Sequence, residues 1–293
     1  MSVEIPSGLT QGYTLASSIS VPSSVAVLGD FPSTPAGAVD GLLTELSEQL
    51  ITEAGDFLIW EEAPFTNNYS LDFDGVNDYG TVAERFDFIQ NTCDFSISTW
   101  VKFANHASTS NIQSILGTTY TASQKGFYLF YDNRFSAKTL RFTLVANSSV
   151  SINVNSAIID NDWHNIIITA ESSGSIVMFL DGTQIGTVAT PNTTATTSLY
   201  DMKVGMSLIA SVVSNLLDGK MDEAAIFDYG LSSSEVAAIY NSGVPANLTS
   251  YSPVGWWRMG DNDGGTGTTV TDQGSGGNNA TLTNGPTFSI DVP

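Results

Sequence analysis

DGKMDEAAIFDYGLSSSEVAAIY, residues 218 to 240, runs a strand-like pattern into a short helix and sets Asp218, Asp222, Glu223 and Asp228 within eleven positions. Successive side chains of a strand point to opposite faces. Alternation therefore puts Asp222 on the face of Ala224, Ile226 and Asp228, and Glu223 on the face of Ala225 and Phe227. Two carboxylates acting on one glycosidic bond must share a face at a separation of about 5–10 Å. On this reading the strand holds no such pair. The helix that follows carries its own start signal: Ser232 and Glu235 form a capping box, Val236, Ile239 and Tyr240 share a face, and Gly243 is the expected stop.

Outward from this stretch, everything after Pro64 reads as β-structure. Apolar runs recur at short intervals as YSLDF, DFSISTWVKF, QSILG, GFYLFY, LRFTLVA, WHNIIITA, SIVMFLDG, MKVGM and VGWWRM, separated by turn pairs such as Asp74-Gly75 and Asp181-Gly182. Helices do not alternate with these runs, which excludes a parallel nucleotide-binding sheet and predicts two packed antiparallel sheets.

Four stretches, taken in order, resemble the laminin-G-like, concanavalin A-like jelly rolls. They are YSLDFDGVNDYGTV (69–82), FSISTWVKF (95–103), DNDWHNIIITAESSGSIVMFLDGTQIG (160–186) and GKMDEAAIFDYGLSSSEVAAIY (219–240), and the resemblance covers about residues 66–244. It implies two curved sheets with a concave face and a loop rim suited to binding. The tail, VGWWRMGDNDGGTGTTVTDQGSGGNNATLTNGPTF, is similar to the segment that usually opens such a domain. Circular permutation is the simplest account, with Trp256–Met259 and ATLTN adding strands to the sandwich begun at Tyr69.

The resemblance also implies candidate sites. Related domains bind calcium at the loop rim through carboxylates and amides, and here Asp261, Asp263, Asp272 and Asn278 are the candidate ligands. The loop is neither an EF-hand nor an RTX repeat, and the competing reading is a glycine-rich loop of Asx turns. Trp100 points away from Phe95, Ile97 and Val101 and is the candidate for stacking on a sugar ring, with burial in a second layer as the alternative. Of the adjacent Trp256 and Trp257, one is expected inside and the other nearer the surface. His164 reads as a packed, hydrogen-bonded residue at a strand start, and His106 has no visible partner. No Ser/His/Asp set, phosphate loop or histidine-rich metal motif can be assembled.

Charge narrows the partners. The net charge is −21, from 30 acids against 9 bases. Such a chain repels nucleic acid and anionic bilayers and favours cations or basic proteins. Cys93 is the single cysteine, so no intrachain disulfide forms, and a small buried hydrophobe is its expected role. The first residues lack the basic and apolar regions of a signal peptide, and no run approaches the about 20 apolar residues of a membrane span.

Residues 1–65 differ from the rest: they contain nine acids and no Lys or Arg, and prolines dot the Ser-, Gly- and Ala-rich opening. Leu42, Leu43, Leu46, Leu50 and Ile51 fit a helix from Asp40 to Ala54 followed by a strand over 57–60; a hairpin of QLITE and FLIWE is the alternative. Val25, Leu28, Phe31, Phe57 and Trp60 are the expected anchoring residues, because a segment this short has no core of its own to bury them in. LLTELSEQLITEAGDFLIWEE and ATLTNGPTFSIDVP are similar to segments of tailed-phage virion proteins. The expectation is an attachment arm (1–65) carrying a jelly roll (66–293) in a non-enzymatic virion surface protein, a capsid decoration or head fibre made in the host cytoplasm. Its expected partners are capsid or other virion proteins, further copies of itself and a host surface glycan. A free calcium-dependent lectin-like module is the alternative, and a polysaccharide-degrading enzyme ranks last.

Overall fold

A computed structural model describes residues 65–293 apart from 107–111, 119–123, 135, 173, 194, 210 and 211. The expected anchoring residues Val25, Leu28, Phe31, Phe57 and Trp60, the helix from Asp40 to Ala54 and the alternative hairpin of residues 49–61 lie outside the described residues. Thr66–Pro293 is one unit.

Two eight-stranded sheets make up the sandwich, and every pairing is antiparallel. In sheet one β1 (Ser70–Asp74) lies between β18 (Thr287–Ser289) and β14 (Asp218–Phe227). Sheet one continues through β3 (Phe95–Phe103), β8 (His164–Ala170), β9 (Ser175–Leu180) and β10 (Thr183–Ala189), with β15 (Gly255–Trp257) on the far half of β14. Sheet two runs β16 (Thr269–Val270), β17 (Ala280–Thr283), β2 (Tyr79–Val82), β11 (Lys203–Val204), β4 (Ile112–Gly117), β5 (Gly126–Asp132), β6 (Thr139–Val145) and β7 (Ser149–Asn155). A separate hairpin joins β12 (Ser207–Ile209) to β13 (Val212–Ser214).

The core lies between the inner faces. Leu71, Phe73, Ile97, Val101, Phe103, Ile166 and Ile168 from sheet one meet Phe127, Leu129, Tyr131, Leu140, Phe142 and Leu144 from sheet two. Each side chain of this size stabilises by about 1.5–3 kcal/mol on leaving water. The edges β10 and β7 close against each other, and Gly186 permits it: a Cβ there would stand 2.5 Å from Ile152 Cγ2.

The tail is built into both sheets, as the permutation reading requires: β15 pairs with β14, β17 with β2 and β18 with β1. The core burial of Trp257 and the pairing of Ala224 with it fix this closure.

Helix α2 (Ser233–Tyr240) has the expected capping box, but it stops at left-handed Asn241, before Gly243. A second short helix, α1 (Phe88–Thr92), was not expected. Cys93 is its left-handed cap rather than part of β3, and it is buried as anticipated, with burial pushing its thiol up to about 11.

Candidate functional site

The acid cluster of β14 is a sealed knot. A bulge interrupts the pairing of β14 with β3 between Asp222 and Ala225, and Glu223 adopts φ +46°. One extra residue shifts the alternation. Met221, Ala224 and Ile226 therefore face the core, while Ala225 falls on the outer side with Asp222. The expectation that Asp222 shares a face with Ala224 and Ile226 is corrected by this bulge.

Both carboxylates are buried, at 0% and 2% exposure, under the tail. Asp222 Oδ2 accepts from Asn67 Nδ2 at 2.9 Å and Oδ1 from Glu223 N at 2.8 Å. Glu223 accepts from Trp256 Nε1 at 2.5 Å and from Arg258 Nε at 3.0 Å. Arg258 also reaches Asp261 at 3.3 Å and the Thr66 carbonyl. Burial raises Glu223 to about 7 against the pull of Arg258 and Trp256. Burial, then the charge of Glu223, drives Asp222 well above the carboxylate range. Perturbed carboxyls often mark catalytic sites, but these two are buried and spend their oxygens on Asn67, Trp256 and Arg258. Their work is to bind the tail to sheet one.

The same layer removes Trp100 from the surface. It does point away from the core, yet it is 3% exposed and stacks on Tyr240 of α2 with ring centroids 5.9 Å apart. The buried alternative holds, and Trp100 offers no face to a sugar. Both Trp256 and Trp257 are buried, which corrects the expectation that one lies nearer the surface.

The rim-loop residues are staples for their own loop. Asp272 accepts from the backbone N–H groups of Trp256, Gly274 and Asn278, each at 2.7 Å. Asp263 accepts from Thr271 N at 3.0 Å and Thr271 Oγ1 at 2.5 Å. Asp261 accepts from Asn68 N at 2.8 Å and from Arg258, and Asn278 gives its carbonyl to Trp257 Nε1 at 2.9 Å. Donors already point at these oxygens, and among the described residues no group of three or more His, Cys, Asp or Glu side chains gathers around a common point. The four candidate ligands do not converge; the Asx-turn reading is the one the geometry follows.

His164 is held as expected, between Asp181 at 2.8 Å and Asp160 at 2.9 Å. Burial opposes its charge, but the hydrogen bonds and charges of Asp181 and Asp160 outweigh it and raise the imidazole above its ordinary value. His106 does have a partner, Asn161 Oδ1 at 2.7 Å.

Among the described residues, the outer side of sheet two presents polar side chains to solvent along β7. Cross-strand pairing lays its side chains in rows. Ser114 on β4, Phe130 on β5, Arg141 on β6 and Asn153 on β7 stand opposite one another, and Tyr128, Thr143 and Ser151 form the next row. Tyr128 and Phe130 stack at 5.4 Å with planes 12° apart, and the Arg141 guanidinium lies 5.2 Å from the Phe130 ring centre. The aromatics are buried and make the floor; Arg141 is half-buried, and Ser149, Ser151, Asn153 and Asn155 are exposed. Two of the polar groups are pre-set by their neighbours, Thr143 Oγ1 with Ser151 Oγ at 2.8 Å and Thr139 Oγ1 with Asn155 Oδ1 at 2.8 Å. The result is a ledge of hydroxyls and amides with one guanidinium over an aromatic base. Sequence reasoning passed over this ledge.

Comparison with known proteins agrees with this architecture. A family described as the Concanavalin A-like lectin/glucanases superfamily matches residues 74–237, so the tail strands lie beyond the matched stretch. No curated protein matches. A Bacteroides ovatus protein described as a candidate carbohydrate-binding protein superimposes with a TM-score of 0.56 at 14% identity, over 79% of this chain and 62% of its own. The heptameric SAP-like pentraxin of Limulus polyphemus gives a TM-score of 0.47 at 14% identity, over 61% and 84% of the two chains. The CBM40 of a Ruminococcus gnavus sialidase bound to α2,3-sialyllactose gives 0.46 at 14%, over 58% and 97%. The likeness to the Bacteroides ovatus protein shows the fold alone, and the two with TM-scores under 0.5 carry no argument.

Proposed function

The chain belongs to the Concanavalin A-like lectin/glucanases superfamily, and from that premise we propose that it is a non-catalytic glycan-binding protein whose binding surface is the outer face of sheet two. The observation that carries this is the ledge over β6 and β7. Arg141, Ser151 and Asn153 stand on two neighbouring strands and offer the guanidinium, hydroxyl and amide groups that bond to sugar hydroxyls, beside the Tyr128–Phe130 stack. A binding role without chemistry accords with the sealing of Asp222 and Glu223 beneath the tail.

The test is retention of the full-length chain on an array of diverse glycans, beside a Ser151→Ala/Asn153→Ala variant. Retention by the parent and its loss in the variant, at an unchanged melting temperature, is expected. Retention that ignores the substitutions, or none at all, would overturn the reading.

The proposal extends to display. The acidic, proline-dotted segment 1–65 precedes the sandwich as an attachment arm, and its similarity to segments of tailed-phage virion proteins supports placement on a virion surface, with capsid proteins or further copies of the chain as partners. Mass spectrometry of purified virions tests the placement. Deleting residues 1–55 tests the arm: the jelly roll should stay folded and no longer join the particle. Full occupancy by the shortened chain would contradict it.

A further inference from the structure

We propose that the ligand of this ledge is an anionic sugar, a glycan bearing carboxylate or sulfate, and that Arg141 is the residue that reads the anion. The inference rests on the glycan-binding reading and narrows it.

Charge distribution is the first ground. The chain as a whole carries −21, yet residues 112–155, which span β4 to β7, hold Lys125, Arg134, Lys138 and Arg141 against one acid, Asp132. The acid is taken already: Arg134 grips both of its oxygens at 2.9 Å, and those hydrogen bonds, with the charges of Arg134 and Arg141, keep its carboxyl below the ordinary range although burial opposes them. Lys203 on β11 adds a further cation to the same outer face, where it donates to Thr81 Oγ1 at 2.9 Å. Solvation alone gives no reason for a basic quarter in an acidic protein. At physiological salt the field of distant carboxylates is screened beyond about 8 Å, so a ligand on the ledge responds most to Arg141, which stands between Phe130 and Asn153.

The second ground is the state of Arg141. The chain has four arginines. Three of them pair with its own carboxylates: Arg85 with Asp201, Arg134 with Asp132, and Arg258 with Glu223 and Asp261. Among the described residues Arg141 has no such pair. It lies over Phe130 instead, and its Nε is buried without a hydrogen-bond partner. A buried donor left unpaired is costly, and a cation held on an aromatic face is pre-oriented. A guanidinium presents a planar fork that fits carboxylate and sulfate oxygens with two hydrogen bonds. Asn153, directly opposite, and Ser151, next to it on the same face of β7, bring neutral donors and acceptors to the same spot, as a sugar ring requires and a bare anion does not.

The experiment uses the full-length chain on an array holding neutral glycans beside uronate-bearing, sialylated and sulfated ones, at low and high salt, with Arg141→Gln and Arg141→Lys variants and inorganic tripolyphosphate as competitor. Retention should fall on acid-bearing glycans, weaken with salt, and drop by about ten- to hundredfold in Arg141→Gln, the weight of one charge-assisted pair. Arg141→Lys should keep part of it, and both variants should melt with the parent. Which acid is retained separates carboxylate from sulfate as the source. Retention of neutral glycans alone, or indifference to Arg141→Gln, overturns the anion inference while the glycan-binding reading stands. Displacement by tripolyphosphate at equal charge overturns the sugar part, and retention of no glycan overturns both.

Discussion

Arg258→Ala should be among the most damaging single substitutions outside the core, and its cost should depend on pH. The guanidinium is 12% exposed and faces Glu223 and Asp261, whose side chains are 3% and 2% exposed. Removing it leaves two buried carboxylates without their cation, a change that costs about 3–5 kcal/mol. For a domain of this size that is about 6–20 °C in melting temperature. Glu223 sits at about 7 in the folded protein against an ordinary 4.5. A carboxyl raised in this way binds its proton more tightly folded than unfolded, so the contribution of Glu223 to stability is complete below about pH 4.5 and is lost as pH rises through about 7. Without Arg258 that value climbs further, so the deficit of Arg258→Ala should be largest near pH 8 and shrink towards pH 5. Adding Glu223→Gln should restore part of the loss, since it removes one of the stranded charges. Urea unfolding of the four proteins of this cycle at pH 5, 6.5 and 8 measures all of it. A deficit below about 1 kcal/mol, the range of a surface pair, or one equal at every pH, would refute the reasoning.

Further outcomes follow from the same contacts. A chain ending at Val244 loses β15 to β18, uncovers β14, β2 and β1, and should fail to unfold cooperatively; a midpoint equal to the parent's would show that the tail is not part of the sandwich. Asp272→Ala frees the Trp256, Gly274 and Asn278 N–H groups and should cost about 3 kcal/mol, whereas millimolar calcium should leave the parent's melting temperature unchanged; a calcium-dependent rise lost in Asp272→Ala would reinstate a cation at the rim. His164 is raised above 6.5 by Asp181 and Asp160, so its contribution is complete below about pH 6.5 and lost as pH rises through the raised value. The parent's advantage over His164→Gln should therefore narrow from pH 6 to pH 9, and a constant gap would contradict the ion-pair account.

The sandwich was legible because its signal is local and periodic. Runs such as FSISTWVKF and GFYLFY alternate or saturate with apolar residues, and both became strands of the expected type. The Ser232–Glu235 capping box is likewise written in four consecutive residues. What escaped depended on distant partners. Nothing in KMDEAAIFD announces a bulge at Glu223; the buried cation that makes it tolerable, Arg258, stands 35 residues away. Trp100 has the alternation of an exposed residue, and only the packing of Tyr240 hides it. Asp261, Asp263 and Asp272 have the composition of a cation loop, but composition does not say that backbone N–H groups already occupy their oxygens. The ledge was missed for the opposite reason. SVSINVN reads as an ordinary solvated strand, and Arg141 as a single cation among neutral residues; only the pairing of β5, β6 and β7 sets it between Phe130 and Asn153.

The most direct measurement is hydrogen–deuterium exchange of the full-length chain with and without the glycan it retains most tightly. Bound sugar should slow exchange across Thr139–Val145 and Ser149–Asn155, the strands of the ledge, and leave Asp218–Phe227 and the loop of residues 260–279 unaltered. Protection confined to that loop or to the outer side of sheet one, with β6 and β7 exchanging as before, would contradict the account.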